Sequence, residues 1–290
     1  MLLSYSDGER SPVKRLWIRG IEAITGIRAL RRRYARGAAM VAEGADVWAA
    51  ALSVLEIHLE LDGLPLDQIP CDGPLLCLAN HPFGVVDGIA ACHILKRVRS
   101  DFRLMAISLL EQIPEIRPWL LPIDFSGTAE ARDANLRARA EAVCRLKEGG
   151  AIIMFPAGEV ASSPRLFGEA VESEWHPFAG RLARTAGVTV LPIYFHGQNS
   201  WMFNLAARIG PATRLAMFVR ETRRKIGTTI HATIGCPIPS SILHSYPNRR
   251  ELLVALRARV LAVDGPATSR TLPLPLGEGR GEGGLQQQAV

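Results

Sequence analysis

A chain of 290 residues that is 48% hydrophobic is long enough to fold one α/β domain with a sizeable core and to carry appendages. No run of eighteen uncharged apolar residues is present, which argues against a membrane-spanning helix, and Asp7 and Glu9 precede any apolar run, so the N-terminus does not read as a secretory signal. The net charge of +6 raises nucleic-acid binding as a class, but no base-reading module accompanies it; Cys71, Cys77, Cys92, Cys144 and Cys236 form no C-x-x-C pair or even-numbered framework and read as small core residues.

Residues 1–60 read as a basic, amphipathic helical region. Within residues 1–40, Arg10, Lys14, Arg15, Arg19, Arg28, Arg31, Arg32, Arg33 and Arg36 stand against Asp7, Glu9 and Glu22. Leu16, Trp17, Ile18, Ile21, Ile24 and Ile27 interleave with them, the composition of a helix lying in an anionic membrane interface. The alternative is a solvated helix packed on the domain by one face. Residues 61–264 form the α/β domain. Its first clear strand is Pro74 to Ala79, followed by a tight turn, Asn80-His81-Pro82-Phe83-Gly84-Val85-Val86-Asp87-Gly88, and by a helix expected from Gly88 to Arg99. A second helix carries the stripe Leu136, Ala140, Val143, Leu146 and is ended by Gly149-Gly150. Ala151 to Phe155 then reads as a buried strand that turns at Pro156-Ala157-Gly158-Glu159. A third repetition has a helix from Phe178 to Ala186 stopped by Gly187, a strand from Val188 to Tyr194, and the polar turn His196-Gly197-Gln198-Asn199-Ser200. This alternation predicts a mostly parallel twisted sheet flanked by helices. The segment Arg208 to Lys225 is a second basic cluster, read either as a solvated surface or as a grip on anionic headgroups or an acidic acyl carrier. Residues 265–290 are low-complexity and are expected to be disordered.

The first turn carries the chemistry. Asp87, Ala91, Ile94 and Val98 fall on one helical face, so an acid rides on an apolar stripe, where it needs a partner, and His81 is the nearest candidate. A His held in one tautomer by a carboxylate leaves its second nitrogen free to take a proton from a hydroxyl or amine, and the carboxylate stabilises the imidazolium that forms. Asn80 or His81 could instead only cap the helix. The later turns also place ionisable groups, Glu159 and His196, after strands, the end at which open α/β sheets hold ligands.

Taken together, Asn-His-Pro-Phe-Gly-Val-Val-Asp-Gly, Phe-Pro-Ala-Gly-Glu-Val and Pro-Ile-Tyr-Phe-His-Gly-Gln-Asn-Ser resemble the motifs of the lysophospholipid and glycerol-phosphate acyltransferase superfamily, in order and spacing from about Leu64 to Ile238. Their form resembles the bacterial branch often labelled hemolysin-like, some members of which make ornithine and related amino-acid lipids. The resemblance implies an O-acyltransferase in which His81 deprotonates the acceptor and Asp87 is its charge partner. By the same resemblance Asn80, Pro82, Phe83, Gly84, Phe155, Pro156, Ala157, Gly158 and Glu159 line the substrate site, with His196 contacting the acceptor or merely hydrogen-bonding its turn. The donor would be an acyl carrier protein or coenzyme A thioester, and the acceptor a lyso-lipid or amino-lipid hydroxyl at the inner leaflet. A thioester is already activated, so no covalent serine, metal or cofactor is expected, and the first amides of the helix after Gly84 would serve the oxyanion.

Two departures from the commoner pattern matter. Five residues, not four, separate His81 from Asp87, so the loop must bulge if the pair is to meet. Ala157 and Val160 stand where a Glu and a phosphate-clamping Arg are usual, which argues for an acceptor without a terminal phosphate unless Arg132 or Arg165 substitutes. The other functional readings are a catalytically inactive lipid-binding relative and a 1-acylglycerol-3-phosphate acyltransferase; an α/β hydrolase lacks its Gly-x-Ser-x-Gly elbow. His58, His93, His176 and His231 have no ligand spacing and read as structural, and Gly84 with Gly88 falls short of a dinucleotide fingerprint. The protein is expected in the cytoplasm, peripheral on the inner membrane.

Overall fold

A computed structural model describes residues 11–13, 15, 16, 20 and 27–263. Most of the expected N-terminal interfacial stretch, with Arg10, Lys14, Trp17, Ile18, Arg19, Ile21 and Ile24, and all of the tail 265–290 lie outside the described residues.

The polypeptide enters through α1 (Ile27–Ala42) and α2 (Val47–Val54), which pack on each other. Asp46 caps α2 by accepting from the amides of Trp48 and Ala49 at 3.1 and 2.9 Å. Only one side of α1 is covered, and Arg33 bonds Glu56 at 2.8 Å while Tyr34 donates to Glu115 at 2.8 Å. For this part of the basic region, packing on the domain by one face is what is seen.

Seven strands follow: β1 (His58–Gly63), β2 (Leu75–Ala79), β3 (Phe102–Ile107), β4 (Leu120–Ile123), β5 (Ala151–Met154), β6 (Thr189–Phe195) and β7 (Thr229–Ile234). They lie in the order β1-β7-β6-β2-β5-β3-β4, with every pairing parallel except β6 with β7. The mixed, mostly parallel sheet is therefore as expected. β1 runs across the residue 60/61 boundary and belongs to the sheet. The helices are α3 (Val85–Lys96), α4 (Ala129–Lys147), α5 (Pro177–Ala183), α6 (Trp201–Ile209), α7 (Pro211–Arg224), α8 (Ser240–Ser245) and α9 (Arg249–Ala262). Among the described residues no helix is long and apolar enough to cross a membrane.

β2 is fully buried, and its alternation sorts its side chains into two layers. Leu75, Cys77 and Ala79 pack with Trp48 of α2 and with Ala90, Ala91 and Ile94 of α3. Leu76 and Leu78 face the other layer, with Leu146 of α4, Leu182 of α5 and Leu256 of α9. Such a doubly covered strand reads as a continuous apolar run, which is why it was visible in the sequence. Two expectations need correction. The α4 stripe is half as expected: Leu146 is buried and Val143 packs against the core, but Leu136 and Ala140 are exposed, and Ala131, Ala138 and Ala142 complete the buried side. Only Cys77 and Cys92 are core residues; Cys71, Cys144 and Cys236 are exposed.

The consequence for function lies in the strand order. β6, β2 and β5 are adjacent and parallel, so the three turns that follow them emerge side by side at the carboxyl end of the sheet.

Candidate active site

Helix α3 starts at Val85, three residues earlier than the sequence pattern predicts, which puts Asp87 in its first turn. The turn bulges through Gly84, whose φ of 96° only glycine adopts without strain. A Cβ there would also come within 2.7 Å of the Phe218 ring and 3.3 Å of Val160, so close packing by α7 adds a second reason for glycine. The bulge absorbs the fifth intervening residue and lets the pair meet.

The result is a junction on a single oxygen. Asp87 Oδ2 accepts from the amides of Phe83 at 2.8 Å and Gly84 at 2.9 Å, and lies 3.0 Å from His81 Nδ1. Since the carboxylate accepts in the first two contacts and is the natural acceptor in the third, Nδ1 carries the hydrogen and Nε2 is left with its lone pair. Asp87 is 0% exposed, and its Oδ1 is buried without a hydrogen bond to the protein. The His81 side chain stays 17% exposed, and its ring stacks on Phe155 at 4.2 Å between centroids. An imidazole held on one side by a carboxylate and on one face by an aromatic ring, with its other nitrogen toward solvent, can remove a proton from a bound hydroxyl.

The second turn is bonded to the first, because the amide of Ala161 donates to the His81 carbonyl at 2.8 Å. Phe155 and Pro156 are buried beneath it, and Gly158 and Glu159 are exposed at its rim. Glu159 is already engaged: Arg214 of α7 donates to it at 2.6 Å and Ser173 also bonds it. Burial pushes the Glu159 carboxyl up, but these two donors outweigh it and hold the group below its ordinary range.

Two other expected site residues make hydrogen bonds elsewhere in the fold. Asn80 is 6% exposed and ties β2 to β6, donating to the Phe195 carbonyl at 2.9 Å and accepting from its amide at 2.7 Å, so its amide group is committed within the fold. His196 turns toward β7, with Nε2 2.7 Å from the Thr233 hydroxyl and its ring edge-on to Tyr194. Phe83 and Pro82 are buried under the turn. The amides of Phe83 and Gly84 are spent on Asp87, leaving Val85 and Val86 as the first amides of α3 beyond them. Arg132 and Arg165 are exposed.

Sequence reasoning missed the part played by α7. Arg214, Phe218 and Lys225 recur at a spacing of four and seven, which keeps them on one helical side. Arg214 reaches Glu159, Phe218 covers Gly84, and the Lys225 ammonium sits 3.8 Å from the centroid of the Phe83 ring. Burial lowers the Lys225 pKa, and the nearby charges of Asp87 and Glu221 partly offset it. That periodicity was present in the basic cluster but unread as a face. Glu172 was also missed, and nothing local marks it. It is 6% exposed in an irregular segment, accepts from the Trp175 indole at 3.2 Å, and has its Oε2 buried without a hydrogen bond to the protein. Burial pushes its pKa up to about 7, against the pull of Trp175 and Arg257, with the charge of Asp87 pushing in the same direction as burial. Among the described residues no group of His, Cys, Asp and Glu is arranged to hold a metal ion.

Residues 50–221 match the Acyltransferase family, more than half of the chain. The chain belongs to the acyltransferase family. Two relatives of this acyltransferase are named lyso-glycine lipid O-acyltransferase. The protein from Phocaeicola vulgatus is 30% identical over 203 residues, 68% of this chain and 70% of the relative, and that from Bacteroides thetaiotaomicron is 28% identical over 68% of this chain and 71% of the relative. Among solved structures, the 1-acyl-sn-glycerophosphate (LPA) acyltransferase PlsC from Thermotoga maritima aligns with a TM-score of 0.46 and 19% identity, over 88% of this chain and 83% of that one. The superfamily resemblance carried by the three motifs thus stands, and with it the expectation of an O-acyltransferase.

Proposed function

We propose that the acyltransferase moves a fatty acyl group from an acyl carrier protein or coenzyme A thioester to the hydroxyl of a lyso amino-acid lipid, with His81 as general base. The carrying observation is the junction at Asp87 Oδ2, which favours the His81 tautomer with its hydrogen on Nδ1 and its lone pair on Nε2. His81 Nε2 takes the hydroxyl proton as the acceptor oxygen attacks the thioester carbonyl. Asp87 stabilises the imidazolium that results. The oxyanion of the tetrahedral intermediate is assigned to the first amides of α3, Val85 and Val86, because a helix N-terminus favours negative charge. Collapse of the intermediate forms the ester and expels the thiolate, which recovers the proton from His81.

An amino-acid lipid is favoured as acceptor for two reasons. The relatives that match over most of the domain are named for a lyso-glycine lipid, and Val160 occupies the place of the usual phosphate-clamping Arg. Reaction at a membrane surface, on the cytoplasmic side, follows from lipid acceptors and carrier-bound donors, with the basic N-terminal region as one attachment. The test is acyl transfer by the purified protein with acyl carrier protein and coenzyme A thioesters, offered lyso-glycine lipid, lyso-ornithine lipid and lysophosphatidate in parallel. Preference for the amino-acid lipids is expected, and exclusive use of lysophosphatidate would overturn the acceptor assignment.

A further inference from the structure

Four of the ten large hydrophobic side chains that stand exposed among the described residues lie together on α6 and the loop against it, and Val171 follows in the same loop. Trp201, Leu205 and Ile209 recur every fourth residue, so they form one outward stripe of α6, 46%, 40% and 64% exposed. Phe167, 78% exposed, sets its ring 5.7 Å from that of Trp201 and extends the stripe. The opposite side of α6 is buried through Phe203, Asn204 and Ala206. The packed side of α6 buries Phe203 and Ala206, so a second apolar stripe on its outward side is surface without a core to cover it.

The loop is held in this outward position. Asn204 accepts from the amide of Ser163 at 3.0 Å and Arg208 donates to the Pro164 carbonyl. Gln198, in the turn after β6, accepts from the amide of Ala170 at 2.7 Å. The loop backbone is therefore bonded to α6 and to the turn beside the site, while Phe167 is left facing out. Around this apolar stripe the exposed charges are mainly positive. Arg165 and Arg208 border it against Glu169, and α7, packed on α6, adds exposed Arg223 and Arg224. The one acid of the α6 and α7 pair, Glu221, is buried and bonded by Ser200 and Arg220.

We propose that this face of α6, with Phe167, inserts into the headgroup and acyl boundary of an anionic bilayer and holds the carboxyl end of the sheet against the lipid. An apolar stripe with a cationic border has the chemistry of an interfacial helix. The inference rests on the lipid-acceptor reading, and it assigns the attachment to the catalytic domain rather than to the basic N-terminal region alone. It also gives a lipid acceptor a short path, because α6 begins directly after the turn that follows β6.

The test uses the full chain with vesicles of phosphatidylcholine and phosphatidylglycerol, read by cosedimentation, beside turnover of a short-chain acceptor that is monomeric in water. Leu205→Glu combined with Ile209→Glu is expected to weaken vesicle binding about tenfold or more, with soluble-acceptor turnover within about twofold of the wild type. Ile209→Ser gives a smaller loss in the same direction and serves if the double variant misfolds. The emission of Trp201, taken as the difference between the wild type and Trp201→Phe, is expected to be quenched by brominated acyl chains. Unchanged vesicle binding by the folded double variant, or absence of that quenching, overturns the assignment. So does a double variant that only dissociates a dimer in sedimentation velocity and still binds vesicles. Failure of the wild type to turn over the soluble acceptor would instead remove the acyl-transfer reading, and vesicle binding would still judge this face.

Discussion

Glu172 makes the stability of this protein depend on pH in a way that can be worked out from its surroundings. Its carboxyl is held to about 7 by burial, whereas in the unfolded chain it ionises near 4.5. Between these values the native state binds more protons than the unfolded state, so stability falls as pH rises. The favourable contribution is complete below pH 4.5 and is lost once pH passes through 7. At about 1.36 kcal/mol per pH unit between the two midpoints, the loss is roughly 3 kcal/mol, a large share of the stability of an ordinary domain. Glu172→Gln keeps an oxygen for the Trp175 indole and cannot ionise. It buries an amide where Oε2 now lies, a cost that does not vary with pH. Urea unfolding at intervals from pH 5 to pH 8 is expected to show the wild type losing stability relative to Glu172→Gln across that range. Parallel curves for the two proteins would refute the reasoning, because they would mean that Glu172 holds no extra proton in the folded state.

Gly84→Ala is expected to lose most activity and about 1–3 kcal/mol of stability, since the φ of 96° and the Phe218 contact both oppose a side chain, and activity and urea midpoint measured together check it. Asn80→Ala removes both bonds that join Asn80 to Phe195, leaving a buried amide and carbonyl unpaired, and a loss of about 2–4 kcal/mol is expected by urea unfolding. A loss under about 1 kcal/mol for Asn80→Ala would show that the two strand ends do not depend on this side chain.

The legible part of this molecule was the part whose signal is local. β2, β5 and β6 are buried on both faces and so appear as apolar runs, and each is followed by a turn rich in Pro, Gly and ionisable residues. The meeting of His81 and Asp87 was readable for the same reason: six residues separate them, and an acid on an apolar stripe needs a close partner. β7 was less visible although Ile230, Ala232 and Ile234 alternate with polar residues, because a short strand near an edge competes with other readings of the same six residues. What the sequence could not show was how distant segments converge. Nothing near Glu159 predicts that Arg214 will occupy it, nothing near Phe83 predicts that Lys225 will lie over its ring, and the burial of Glu172 depends on packing around Trp175 and Arg257. The resemblance places Asn80 at the substrate site, and nothing near it in sequence predicts that its side chain reaches across to Phe195.

In the proposed mechanism His81 is the base, with Asp87 holding its Nδ1 hydrogen and stabilising the imidazolium that forms. Asp87→Asn tests the charge almost alone. All three contacts converge on Oδ2, so an amide oxygen in that place still accepts from Phe83, Gly84 and His81, while the new NH2 takes the position of Oδ1, which bonds nothing in the protein. The decisive measurement is single-turnover acyl transfer by the wild type, Asp87→Asn and His81→Ala at saturating thioester. A loss of about 10²–10⁴ is expected for His81→Ala and a smaller loss, about tenfold or more, for Asp87→Asn, with both proteins folded. Wild-type turnover by folded His81→Ala would contradict the assignment of His81 as the base.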